Sequence, residues 1–180
     1  MAKRKYEVNI LSSSSIERLK KELIYYRDDI LTEKCRLLAE RLAKIGLFVA
    51  DAQIQESSLG RYVSLKIDVE PEKVGSKAIL IATGAVMQSK GYEDFNVLLA
   101  IEFGAGIYYN QTANPNAGEF GLGVGTFPGQ IHAFESGWWY WDDSAEQWKY
   151  THGVKATMPM YESNKSIIEE VVQAAKGVFS

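Results

Sequence analysis

The residues of this chain best suited to chemistry are few, and most lie in its second half. All four tryptophans, Trp138, Trp139, Trp141 and Trp148, fall in one short stretch, interleaved with Tyr140 and Tyr150. Flat aromatic faces at that density stack sugars or anchor a protein interface, where Trp and Tyr carry a large share of binding energy. The plain alternative is a small local core holding a hairpin together. The turn Asp142-Asp143-Ser144-Ala145-Glu146 is acidic and Lys149 is the one cation interleaved, which argues against a stacking platform for nucleic acid. Asp142 and Asp143 are adjacent, and such pairs in a turn serve solvation more often than acid–base exchange. Glu102 stands in an otherwise apolar stretch and is expected to cap backbone amides of the Gly104 turn rather than to carry protons.

Other chemistries fare worse. Gly121-Leu122-Gly123-Val124-Gly125 is glycine-rich, but a dinucleotide fingerprint needs a strand before it and a helix after it. Here an Asn/Pro/Gly-rich loop precedes, Thr126-Phe127-Pro128-Gly129 follows, and no phosphate-binding lysine closes the motif. His132 and His152 lack metal-ligand spacing. Cys35 is the only cysteine, so neither an intrachain disulfide nor a cysteine cluster can form. It sits in a helical apolar stripe, where a small buried thiol is expected rather than a nucleophile. No catalytic residue, cofactor or metal is expected.

Composition sets the remaining bounds. With 180 residues, 46% hydrophobic and 24% charged, the chain is long enough for one domain with a true core, and a single domain over residues 1–180 is expected. A formal charge of −3 disfavours binding of free nucleic acid by bulk electrostatics, and the basic Lys3-Arg4-Lys5 is only three residues long. The polar segment Met1 to Ile10 has no apolar stretch like that of a signal peptide, and no apolar run approaches the roughly 20 residues that span a bilayer. A soluble molecule made in the cytoplasm, with no membrane partner, is expected.

The elements that must position these residues are legible from period and punctuation. Ser14 and Glu17 have capping-box spacing. Ile16, Leu19, Leu23, Tyr26 and Ile30 then recur at steps of three and four, and a second stripe, offset by one residue, runs through Leu31, Cys35, Leu38, Leu42 and Ile45. Gly46 is expected to cap this long helix, which is expected to pack along one sheet; the sharper alternative is that its ends or shifted face also meet another subunit. Val63, Leu65, Ile67 and Val69 alternate with polar residues as a half-buried strand ended by Pro71, and Ala78 to Ala82 reads as a central strand. Phe95 to Phe103 fits a helical turn and a strand equally. Gly104, Gly106, Gly118, Gly121, Gly123, Gly125, Gly129 and Gly137, with Pro115 and Pro128, make the start of an extended insertion over 104–150. The two aromatic stretches then pair as a β-hairpin across the acidic turn. Pro159 opens a closing helix whose face is Met160, Ile167, Val171, Ala174 and Val178. The fold class is α+β: a mixed or antiparallel sheet packed by a long N-terminal and a C-terminal helix.

The order of these features carries a resemblance. A long amphipathic helix and strands lead to Ile101-Glu102-Phe103-Gly104-Ala105-Gly106, a glycine/proline-rich insertion, Gly137-Trp138-Trp139-Tyr140-Trp141, and Ala156-Thr157-Met158-Pro159-Met160-Tyr161 opening the last helix. Over roughly residues 10 to 180 this resembles the tail-completion, head–tail joining family of long-tailed bacteriophages of Gram-positive hosts. Ala105 stands where that family usually has threonine. The resemblance implies a structural subunit that forms a ring in the virion neck, of six copies or alternatively twelve, between the head-side connector and the tail terminator or tail-tube proteins, with DNA passing through its channel. It brings no catalytic residues. Phe127, Trp138, Trp139, Trp141 and Trp148 are the expected interface anchors, on an insertion that orders when subunits assemble; Glu102, Gly104 and Gly106 form the structural turn. The alternative from another class is a carbohydrate-binding module of a phage tail built on the Trp138–Trp148 aromatics. Such modules are usually all-β, which favours the first reading.

Overall fold

A computed structural model describes residues 9, 12–72, 75–87, 95–106, 138–142 and 145–180. Within them the fold is α+β, with long helices at the two ends and short antiparallel pairs between. The first rod is one continuous helix in three parts: α1 (Ser13–Tyr25), a π segment (Tyr26–Leu31) and α2 (Thr32–Gln55). At ~1.5 Å per residue it spans roughly 60 Å. It starts two residues before the expected capping box, because Ser12 is the cap and its side chain accepts from the Ser15 amide at 3.4 Å.

The π segment explains the one-residue offset between the two apolar stripes. A π turn closes its hydrogen bond one residue later than an α turn. Inserting that residue after Tyr25 swings the Ile16–Leu23 stripe into line with the Leu31–Ile45 stripe, as a coiled-coil insertion does. The same rod does not end at Gly46. That glycine lies buried mid-helix, where the Ser163 hydroxyl donates to its carbonyl at 2.5 Å. A Cβ there would meet Ile167 Cδ1 at 2.7 Å. Gly46 is therefore a site of close helix approach and not a cap.

After a 3₁₀ turn (Gly60–Tyr62), β1 (Val63–Pro71) pairs antiparallel with β2 (Ser76–Gly84) in the register Val63↔Gly84 to Pro71↔Ser76. This ribbon lies against α2. Among the described residues β2 has β1 as its only strand neighbour, and the apolar Ala78–Ala82 run is half-buried. Next, β3 (Val86–Met87) pairs with β4 (Phe95–Asn96), and α3 (Val97–Phe103) follows directly. The ambiguous stretch thus resolves as helix. The Asn96 side chain accepts from the Leu99 amide at 3.2 Å and caps it.

The last elements are β5 (Ala105–Gly106), β6 (Trp138–Asp142), β7 (Gln147–Thr151), β8 (Gly153–Val154) and α4 (Pro159–Phe179). β6 pairs with β7 as the expected hairpin and β5 with β8, both antiparallel. The core forms where α4 packs on α2 and α3 packs on α4 and β2: Ala43, Ala50, Ile54, Val97, Ala100, Ile101, Phe103 and Ala174 are all buried. Of the expected α4 face, Ala174 is buried and Met160, Ile167 and Val178 are half-buried, while Val171 turns to solvent. Cys35 is half-buried on α2.

Candidate functional site

Glu102 is buried where the end of α3, the β5–β8 pair and the start of α4 come together. Gly104, at φ 79°, ends α3 with its amide donating to Ala100 at 2.9 Å, and Gly106, at φ 69°, turns the chain into its pairing with Gly153. Positive φ favours glycine at both places. The Thr157 amide donates to the Ile101 carbonyl at 2.9 Å, which sets the start of α4 beside α3. Met158 precedes α4 in a left-handed conformation with no side-chain cap, and Pro159 has no N–H to offer. The first amides needing a partner are those of Met160 and Tyr161. They donate to the two carboxylate oxygens of Glu102 at 2.9 and 3.0 Å.

Glu102 is therefore a cap, as its surroundings in the sequence imply, but for a different element. The expected partner was the Gly104 turn; the observed one is a helix N-terminus more than fifty residues away in the chain. A carboxylate suits that place because it satisfies orphan amides and faces the positive end of the helix dipole. The side chain is buried, and with both oxygens held by helix amides its chemistry is that of a clamp. The Thr157 hydroxyl nearby is buried with no hydrogen-bond partner among the described residues.

The aromatic hairpin is built in the opposite manner. Its register sets Trp139 opposite Tyr150 and Trp141 opposite Trp148, with Trp138 facing Thr151. Trp139 and Tyr150 meet edge-to-face at 5.3 Å, and Tyr150 meets His152 likewise at 5.1 Å. Lys149 is paired with Asp142 at 2.5 Å, which also accepts from the Ala145 amide and tightens the turn. Yet Trp139 is 64% and Trp148 63% exposed, and Tyr150 faces solvent as well. A local hairpin core accounts for the ring contacts but not for this exposure. Phe127, with the glycine-rich Gly121–Gly125 run, His132 and the rest of 107–137, lies outside the described residues.

A third feature lies along the first helix, whose shifted face the sequence offers as an alternative meeting surface for another subunit. No residue of α1 is buried, and the body of the molecule lies against α2 instead. Ile16, Leu19, Leu23 and Ile24 line a shallow open groove along α1 together with Lys20 and Arg27. Arg27 bridges Asp28 at 2.5 Å, and that hydrogen bond raises the arginine's pKa and lowers the carboxylate's. The stripe offset is the sequence signal that marks this face.

Among the described residues no three His, Cys, Asp or Glu side chains converge as a metal site, and no helix is long and apolar enough to cross a membrane. Comparison with protein-family models, with curated proteins and with solved structures returned no match for this chain.

Proposed function

We propose that this chain is a structural subunit of a tailed bacteriophage, forming a ring at the head–tail interface through which DNA passes. Its place is the neck of the virion, after synthesis in the bacterial host, and its neighbours are the head-side connector and the tail terminator or tail-tube proteins. The order of motifs from Glu102 to Tyr161 supports the setting. The observation that carries the assembly is the apolar surface left outside the body: a first helix with no buried residue, and exposed Trp139 and Trp148. Soluble monomers seldom leave such contiguous patches uncovered. Glu102 acts within this reading as a scaffold residue that sets α4 on α3. A mildly acidic subunit is also suited to a channel that must release the DNA it passes.

Reconstruction of virions whose genome encodes this chain tests the proposal. Several copies in a closed ring at the neck are expected, and a single copy per particle, or absence from it, would sink the reading. A second reading, a glycan-binding face, is favoured by one observation, the exposure of Trp139, Trp148 and Tyr150 on a hairpin. Quenching or blue shift of tryptophan emission on adding host cell-wall glycans would support it over the first.

A further inference from the structure

Two exposed apolar surfaces of this chain carry opposite charge. The α1 groove is long and shallow, and among the described residues its lining is apolar apart from two cations, Lys20 and Arg27. The β6–β7 hairpin exposes the rings of Trp139, Trp148 and Tyr150, with Glu146 exposed at its turn. Among the described residues neither Lys20 nor Glu146 has an ion-pair partner, and the Arg27–Asp28 pair is fully exposed and easily exchanged. Among the described residues of one subunit, α1 has no extensive packing against β6 or β7.

We propose that the α1 groove is the seat for the β6–β7 hairpin of a second copy of this chain, an inference that rests on the assembly reading for the presence of that copy. Trp139 and Trp148 cover Leu19, Leu23 and Ile24, Lys20 and Arg27 lie where they can face indole rings, and Lys20 meets Glu146. A cation over an indole gains strength as water is excluded. The charges choose among the surfaces. The outer face of α4 also exposes Ile168, Val171 and Val172, but it carries Glu169 and Glu170, which repel an acidic hairpin tip. Groove and hairpin are different surfaces, so the contact is head-to-tail. Contacts of that kind repeat into a ring when the rotation closes.

Cys35 is the only cysteine, so disulfide trapping in a Cys35→Ser background is clean. A Leu23→Cys chain mixed with a Glu146→Cys chain is expected to form the mixed disulfide in preference to either homodimer. Homodimers alone, or no disulfide at any concentration, would overturn the seat. Charge reversal is the second arm: Lys20→Glu and Glu146→Lys each weaken trapping several-fold alone, and the Lys20→Glu/Glu146→Lys double chain recovers it. Failure of that recovery also counts against the proposal. All four tryptophans lie on the hairpin strands, so their emission reports on the hairpin alone. It is expected to shift to the blue on assembly, and to stay red in a Leu23→Asp chain that is folded by circular dichroism. If Leu23→Asp chains assemble with the wild-type blue shift, the seat falls while the ring stands. If the mixed disulfide forms but virions contain only a pair of copies, the ring falls while the seat stands.

Discussion

The clamp around Glu102 and the α1–hairpin surface use the same kinds of residue to opposite ends. Around Glu102 nearly every polar group has a partner inside the molecule: helix amides on the carboxylate, the Ile101 carbonyl on Thr157, the Ser163 hydroxyl on Gly46. Along α1 and on the hairpin, leucines, isoleucines and tryptophans remain in water and the charges stay on the outside. The first region therefore governs folding, because removing any member leaves a buried group unsatisfied. The second costs the monomer little to alter and, in the assembly proposed above, is where a second copy would seat.

The sharpest way to break that contrast is Glu102→Ala. It strips two amides at the start of α4 of their acceptor, and a loss of about 3 kcal/mol is expected in denaturant unfolding. Glu102→Gln keeps one acceptor oxygen but loses the charge facing the helix dipole, for about 1–2 kcal/mol. A melting temperature unchanged by both would show that Pro159 and the β5–β8 pairing hold α4 alone. Gly46→Ala comes next: the added Cβ must displace Ile167, and overpacking of this kind costs roughly 1–3 kcal/mol.

On the other side of the comparison the effects on stability are small. Trp139→Ala loses the edge-to-face contact with Tyr150, about 0.5–1.5 kcal/mol, confined to the hairpin and visible as faster amide exchange in β6 and β7. Leu23→Ser in α1 is expected to leave the monomer's unfolding within about 0.5 kcal/mol of wild type while reducing assembly in sedimentation. A large loss of monomer stability there would mean that α1 belongs to the core. The smallest effect is that of pH. Hydrogen bonds from Arg27 and Arg36 hold the Asp28 and Glu33 carboxyls below the ordinary carboxylate range. Carboxylates depressed in the folded state stabilise it at neutral pH, and that contribution disappears as pH falls from the ordinary carboxylate range through their lowered folded values. Both pairs are open to solvent, so acid titration of the helix signal is expected to show only a slight slope there.

Much of this molecule follows from local pattern alone. The three-and-four spacing from Ile16 to Ile45 implies the rod, the alternation from Val63 to Val69 implies β1, and Pro159 marks the start of α4; each is a property of a few neighbouring residues. The paired aromatic stretches likewise announce the hairpin, since cross-strand partners there are close in sequence. What only the tertiary structure decided depends on residues far apart. Gly46 has the local signature of a helix end and is instead the place where α4 comes closest, because Ser163 and Ile167 fill the space its missing side chain leaves. The offset stripes do not say how they are reconciled, and a π turn does it by taking up one residue. Glu102 was recognisable as a cap, but no local rule names the amides of Met160 and Tyr161 as its partners. That pairing exists because Gly104 and Gly106 turn the chain into the β5–β8 ladder, which delivers the uncapped start of α4 to a carboxylate already buried and waiting for donors.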